Sequence, residues 1–199
     1  MNIKSKITTL AILATATCAA REAQRKVTVC VSDVTLANEV DVVIQARETA
    51  SEMFAAIGVK LDWQCPKSGG QGTIVMSLNM GTPENRKPGE LAHTSPGEGT
   101  HIVILYDCVR DCVRKVKPTK FSGVLAHVMV HEVTHILQGV PRHSASGVMK
   151  AKWDDYDFVH MSSKPLPFTD VDIDLIQRGL DAREARLAGA SLPASNYVQ

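Results

Sequence analysis

His131, Glu132 and His135 sit at positions one, two and five of the pentapeptide His131-Glu132-Val133-Thr134-His135. On an α-helix, residues four apart share a face, so both imidazoles can reach one metal ion. A glutamate directly after the first histidine can hold and deprotonate a water at that ion. This is the HExxH arrangement of zinc hydrolases. Two imidazoles alone leave a zinc site incomplete, because hydrolysis needs a third protein ligand and an open position. His143 is the natural third ligand. It lies beyond a break at Gly139, where the chain can turn back beneath the metal.

The residues around the motif read as a buried helix. From Phe121 to Gln138 the chain is apolar almost all round, as in a helix surrounded by core. Gly139 stops it and Pro141 prevents its resumption. Histidine and glutamate are costly in such a helix unless paired or metal-bound. His127, one turn earlier, reads first as a satisfied core histidine and second as a partner of a ligand. His93, His101 and His160 have no partner spacing. Asp154, Asp155 and Asp157 could orient a ligand histidine or bind calcium, but a solvated acidic loop is the simpler account. Trp153 reads as core.

Upstream, Lys26–Val31 alternates like a strand, and a long helix capped near Asn38 carries Val42, Val43, Ala46, Ala50, Met53, Phe54 and Ile57 up to a stop at Gly58. Val59–Cys65, Thr73–Asn79 and His101–Asp107 read as further strands, with a short edge strand near Glu90–Thr94 inside a Gly- and Pro-rich loop. Strand, helix, strand implies a parallel crossover unit. Thr169 caps a last helix, Asp170–Leu187. No internal repeat and no second core is evident.

At 199 residues, with 44% hydrophobic content, the chain can build one good-sized core. Lysine and arginine nearly balance aspartate and glutamate, 22 against 21. No basic stripe is present, which excludes nucleic acid as a partner class. Residues 1–20 differ from the rest: Lys4 and Lys6, an apolar run Ile7–Ala16, then small residues to Ala20. That is the pattern of a secretory signal peptide, too short to anchor in a bilayer. Lipoprotein anchoring at Cys18 is the minor alternative. Four cysteines remain in residues 21–199, an even number that in an exported chain reads as disulfides. Cys30 and Cys65 end neighbouring parallel strands and pair on that ground; Cys108 and Cys112 then close a small loop. A cysteine zinc site is the rival reading, but the spacing fits no common one.

With these residues in hand, the chain resembles the metzincin zinc proteases. The resemblance rests on HEVTH, Gly139, His143-Ser144 and Gly147-Val148-Met149, similar to HExxHxxGxxH followed by a methionine turn. Leu91-Ala92-His93 with Pro96 and Gly97 resembles the edge-strand segment of the matrixin branch. The whole pattern from His131 to Trp153 also resembles a set of exported bacterial metzincin-like proteins. The family motif sets its third histidine six residues after the second, whereas here the interval is eight. Tyr156 lies too far past Met149 to match a family tyrosine.

The resemblance implies an α/β (α+β) fold: a twisted mixed sheet, a long helix, a central active-site helix and a small C-terminal helical lobe. It implies a single catalytic domain over 21–199, with an upper lobe over about 26–139 and a lower lobe over about 140–187. It further implies one catalytic zinc on His131, His135 and His143, with Glu132 as general base. Met149 would form an apolar floor, and Leu91, Ala92 and His93 an edge on which a peptide or protein substrate pairs. The expected protein is a secreted or periplasmic, monomeric zinc endopeptidase without a transmembrane helix. Its alternatives are a catalytically silent zinc-binding module and a chain that holds no metal.

Overall fold

The computed structural model describes residues 24–32, 39–67, 70–81, 87, 89–94, 100–116 and 119–190. The expected signal peptide, Cys18, the Asn38 cap and the Pro96-Gly97 pair lie outside the described residues.

Five strands build one mixed sheet: β1 (Arg25–Ser32), β2 (Val59–Trp63), β3 (Ile74–Asn79), β4 (Ala92–Thr94) and β5 (His101–Leu105), in the order β2-β1-β3-β5-β4. Four of them run parallel, and β4 pairs antiparallel with β5 at the edge. Each strand turns alternate side chains inward. Val27 and Val29 in β1, Ile74, Met76 and Leu78 in β3, and Ile102 and Ile104 in β5 are all buried, as a half-covered sheet requires. The β1–β2 connection is helix α1 (Val40–Ala55), which buries Val43, Ala46, Ala50, Met53 and Phe54. It packs against β2 and against a central helix, here α3 (Phe121–Gln138). Every residue of α3 from Gly123 to Gln138 is buried, so its position is dictated by apolar contact on all sides.

A disulfide joins Cys30 to Cys65. The parallel register that sets Val29 opposite Trp63 places Cys30, still within β1, beside the chain that carries Cys65 just past the end of β2. The second expected disulfide is a correction: no bond links Cys108 to Cys112. β5 ends at Leu105, and helix α2 (Tyr106–Lys115) begins at once. The two cysteines therefore stand four apart on a continuous helix. Cβ atoms so placed lie about 5–6 Å apart, beyond the ~4 Å a disulfide spans.

Two further helices follow. Helix α4 (Asp155–His160) occupies the segment read as a solvated acidic loop. Asp154 and Asp157 cap it reciprocally: each accepts the other's backbone N–H at 3.0 Å. This is a capping box built from two aspartates. Lys150 donates to Asp154 at 3.1 Å and also to Asp157. Helix α5 (Asp170–Ala190) crosses α3 at Gly179. A Cβ there would stand 1.7 Å from the Leu137 carbonyl oxygen, so only glycine permits this approach. Among the described residues, no helix is long and apolar enough to cross a membrane.

Candidate metal centre

Helix α3 presents His131, Glu132 and His135 near its C-terminal end, and Gly139 terminates it in the left-handed conformation with its N–H on the His135 carbonyl at 2.9 Å. The following turn brings His143 back. The ring of His143 lies 5.2 Å from that of His131 and 5.0 Å from that of His135, while His131 and His135 are 4.7 Å apart. One nitrogen of each ring falls within 4.8 Å of the other two. The eight-residue interval thus still returns the third imidazole to the first pair. The extra residues form the bend through Val140 to Arg142.

Backbone carbonyls orient the two helical rings. His131 Nδ1 lies 2.9 Å from the Val148 carbonyl, and His135 Nδ1 lies 3.4 Å from that of Val140. Each Nδ1 therefore carries the proton and donates it, leaving the lone pair on Nε2. The two Nε2 atoms face each other at 3.1 Å. Two lone pairs so aimed repel unless a cation lies between them. Ligands of a tetrahedral zinc with bonds of about 2.0–2.1 Å stand about 3.3 Å apart, close to what is observed. The donor set and its spacing therefore fit zinc.

Met149 is fully buried, and its carbonyl accepts the Ser144 N–H at 2.7 Å. Its turn is tied down by the Val148 N–H on the Pro167 carbonyl at 2.9 Å. Gly147 has a φ of +77° and a Pro167 oxygen 2.2 Å from where a Cβ would sit, so both its backbone angle and its surroundings demand glycine.

Burial dominates the electrostatics. It lowers His131 to about 4, against the pull of the Val148 carbonyl, with His135 and His143 pushing in the same direction. It lowers His135 as well. Both rings are therefore neutral at physiological pH, the form that ligates metals. Burial raises Glu132 to about 7, and the charge of Glu90 adds to the effect. His127 is likewise lowered to about 4 by burial. It donates to the Gly123 carbonyl at 2.7 Å and accepts the Leu166 N–H at 2.9 Å, a fully satisfied core histidine.

A cavity of about 610 Å³ opens in front of these groups. Leu91, Ala92, His93 and Thr94 form one wall, and the stretch Lys150–Trp153 forms part of the other. The β4 edge facing away from β5 has no strand beside it among the described residues, so its backbone is open to pairing. Trp153 stands 5.5 Å from the His131 ring, edge on, and Cys112, Val128 and Phe158 line the apolar end. Tyr156 is 76% exposed and packs on His160, outside this cavity. The acids Asp154 and Asp157 serve helix α4 and Lys150 rather than a ligand histidine or calcium.

Glu90, Cys112 and Lys150 also line the cavity, a place that the sequence reading assigns to none of the three. Glu90 begins the expected edge strand, Cys112 reads from sequence only as a disulfide partner of Cys108, and no signal marks Lys150.

No family model matches the sequence, and no curated protein is similar enough to match it. The structure is similar to that of archaemetzincin from Methanopyrus kandleri, which aligns over 82% of this chain and 99% of its own with a TM-score of 0.50 and 16% identity. The fold is metzincin-like. At that identity the likeness speaks for architecture, and the chemistry rests on the side chains described above.

Proposed function

We propose that this chain is an exported, matrixin-like zinc endopeptidase, working as a monomer on peptide or protein substrates. The observation that carries the reading is the convergence of His131, His135 and His143 within 4.8 Å, beside Glu132 on a cavity walled by an open strand edge. Export is supported by the Cys30–Cys65 disulfide and by the charged, apolar and small-residue order of residues 1–20. Once those are removed, residues 21–199 act as one catalytic domain. Its upper part, up to about residue 139, supplies the sheet and α3, and the lower part, from about 140 to 187, supplies His143.

Zinc held by three neutral imidazoles supplies a Lewis acid and an acidified water. A substrate strand pairs with the Ala92–Thr94 backbone, which sets its scissile bond across the cavity floor. Glu132, buried and drawn toward neutral pH, holds the attacking water, takes its proton and returns it to the leaving amine. The side chain of Met149 keeps the region beneath the histidines apolar.

Substitution Glu132→Gln tests this directly. The variant should bind zinc as the native chain does but cleave a denatured protein substrate at least about a hundredfold more slowly. Undiminished hydrolysis would overturn the assignment. Stoichiometric zinc with no turnover by the native chain on a broad peptide library would instead establish a silent zinc-binding module.

A further inference from the structure

His143 is exposed and lies eight positions after His135. Beyond its ring contacts with His131 and His135, its place depends on how its chain neighbours are held. Both neighbours end on the same group. Arg142 Nη1 and Ser144 Oγ donate to Asp172 Oδ1 at 2.8 and 2.7 Å, and Arg142 Nη1 also reaches Ser144 Oγ at 3.1 Å. The other oxygen, Oδ2, accepts the Thr169 N–H at 3.1 Å and the Thr169 hydroxyl at 2.6 Å. Asp172 is fully buried on the first turn of α5, and its own carbonyl accepts from Gln138, the last residue of α3, at 3.4 Å. Capping α5 occupies one carboxylate oxygen. The second oxygen is spent on the two residues that flank the third histidine.

We propose that Asp172 is the positioning residue of the metal centre, clamping Arg142 and Ser144 so that the eight-residue turn delivers His143 to His131 and His135. The inference rests on the zinc reading above for its consequence, but the clamp itself is a property of the metal-free chain. A buried carboxylate with four good donors is a rigid anchor, because each donor strengthens the hold on the ionised form. Burial alone would raise its pKa; the hydrogen bonds from Thr169, Ser144 and Arg142 outweigh that and keep it below the ordinary aspartate value. Asparagine cannot replace it, since its amide NH₂ would have to face either Thr169 or the Arg142–Ser144 pair.

The test compares full-length Asp172→Asn with the native chain and with Gln177→Ala. The latter loosens α5 at its remote contact with the Ile57 carbonyl and controls for lost stability. In metal-free protein, the Ser144 and Val148 amides should exchange at least tenfold faster in Asp172→Asn than in either comparator. Zinc affinity, read by chelator competition, should fall about ten- to a hundredfold. The visible spectrum of the cobalt-loaded variant should also change, as expected when a ligand shifts; Gln177→Ala should keep the native spectrum. A folded Asp172→Asn with native amide exchange, or with native zinc affinity and cobalt spectrum, would overturn the proposal. If that variant does not fold, Arg142→Gln with Ser144→Ala leaves the Thr169–Asp172 cap in place and is held to the same two outcomes. A native chain that takes up no zinc would remove the peptidase reading, while the exchange comparison would still decide the clamp.

Discussion

Two regions supply the three histidines of the proposed metal site, and they differ in how they are held. Helix α3 carries His131 and His135 and is buried along nearly its whole length, held by core contact with α1, the sheet and α5. The segment after it, residues 139–169, carries His143; it buries Val148, Met149, Phe158, Met161 and Leu166 in the same core but adds several polar contacts. These are the Asp172 carboxylate, the Lys150 ion pairs with Asp154 and Asp157, the Leu166 N–H on His127 and the Val148 N–H on Pro167. The first scaffold is sensitive above all to changes of volume, because a close-packed interior has little room to adjust. The second depends on charge and hydrogen-bond geometry. A site whose third ligand sits on the polar scaffold can be disabled without touching the core.

The sharpest way to break the apolar half is Gly179→Ala, which drives a methyl group into the Leu137 carbonyl. It should cost about 4 kcal/mol or more in denaturant unfolding. A loss below about 1 kcal/mol would mean that α3 and α5 do not cross so closely.

A smaller effect probes the one charge inside that half. Glu132 is raised from 4.5 to about 7 in the folded metal-free chain. The folded state then binds the extra proton, so the Glu132 contribution to stability falls as pH rises from about 4.5 to about 7 and levels off above that, while the lowered His127 and His131 act in the opposite sense in native and variant alike. Metal-free Glu132→Gln escapes this fall. It should match the native chain near pH 4.5 and exceed it by about 3 kcal/mol above neutrality. Saturating zinc should shrink the gap, because a divalent cation stabilises the carboxylate. Parallel pH curves for the two proteins would show that Glu132 is not desolvated.

How far these regions could be read from sequence follows the same division. Helix α3 and its stop at Gly139 were legible because apolar burial writes itself into composition, and the alternating strands were legible for the same reason. His143 was nameable as a ligand candidate from the motif, but the extra length before it left its reach undetermined, since loop geometry is not encoded in spacing. Helix α4 was missed because Asp154, Asp155 and Asp157 look solvated. The aspartates at 154 and 157 were a usable cap signal, three residues apart just before Phe158-Val159. Helix α2 was missed because an apolar strand runs directly into it without a turn residue; the 108–112 disulfide was expected from the even cysteine count, and only the missed helix would have argued against it. Thr169 was recognised as a cap, yet that Asp172 also gathers Arg142 and Ser144 depends on contacts across 28 to 30 residues, which no local pattern announces.

The central claim is that three histidines from both regions form one metal site. Metal analysis of the dialysed native chain alongside His143→Ala tests it most directly. One zinc per native chain, with affinity reduced at least about a hundredfold in a folded His143→Ala, is the predicted result. A native chain that retains no zinc, or a His143→Ala chain that binds it equally well, would contradict the account.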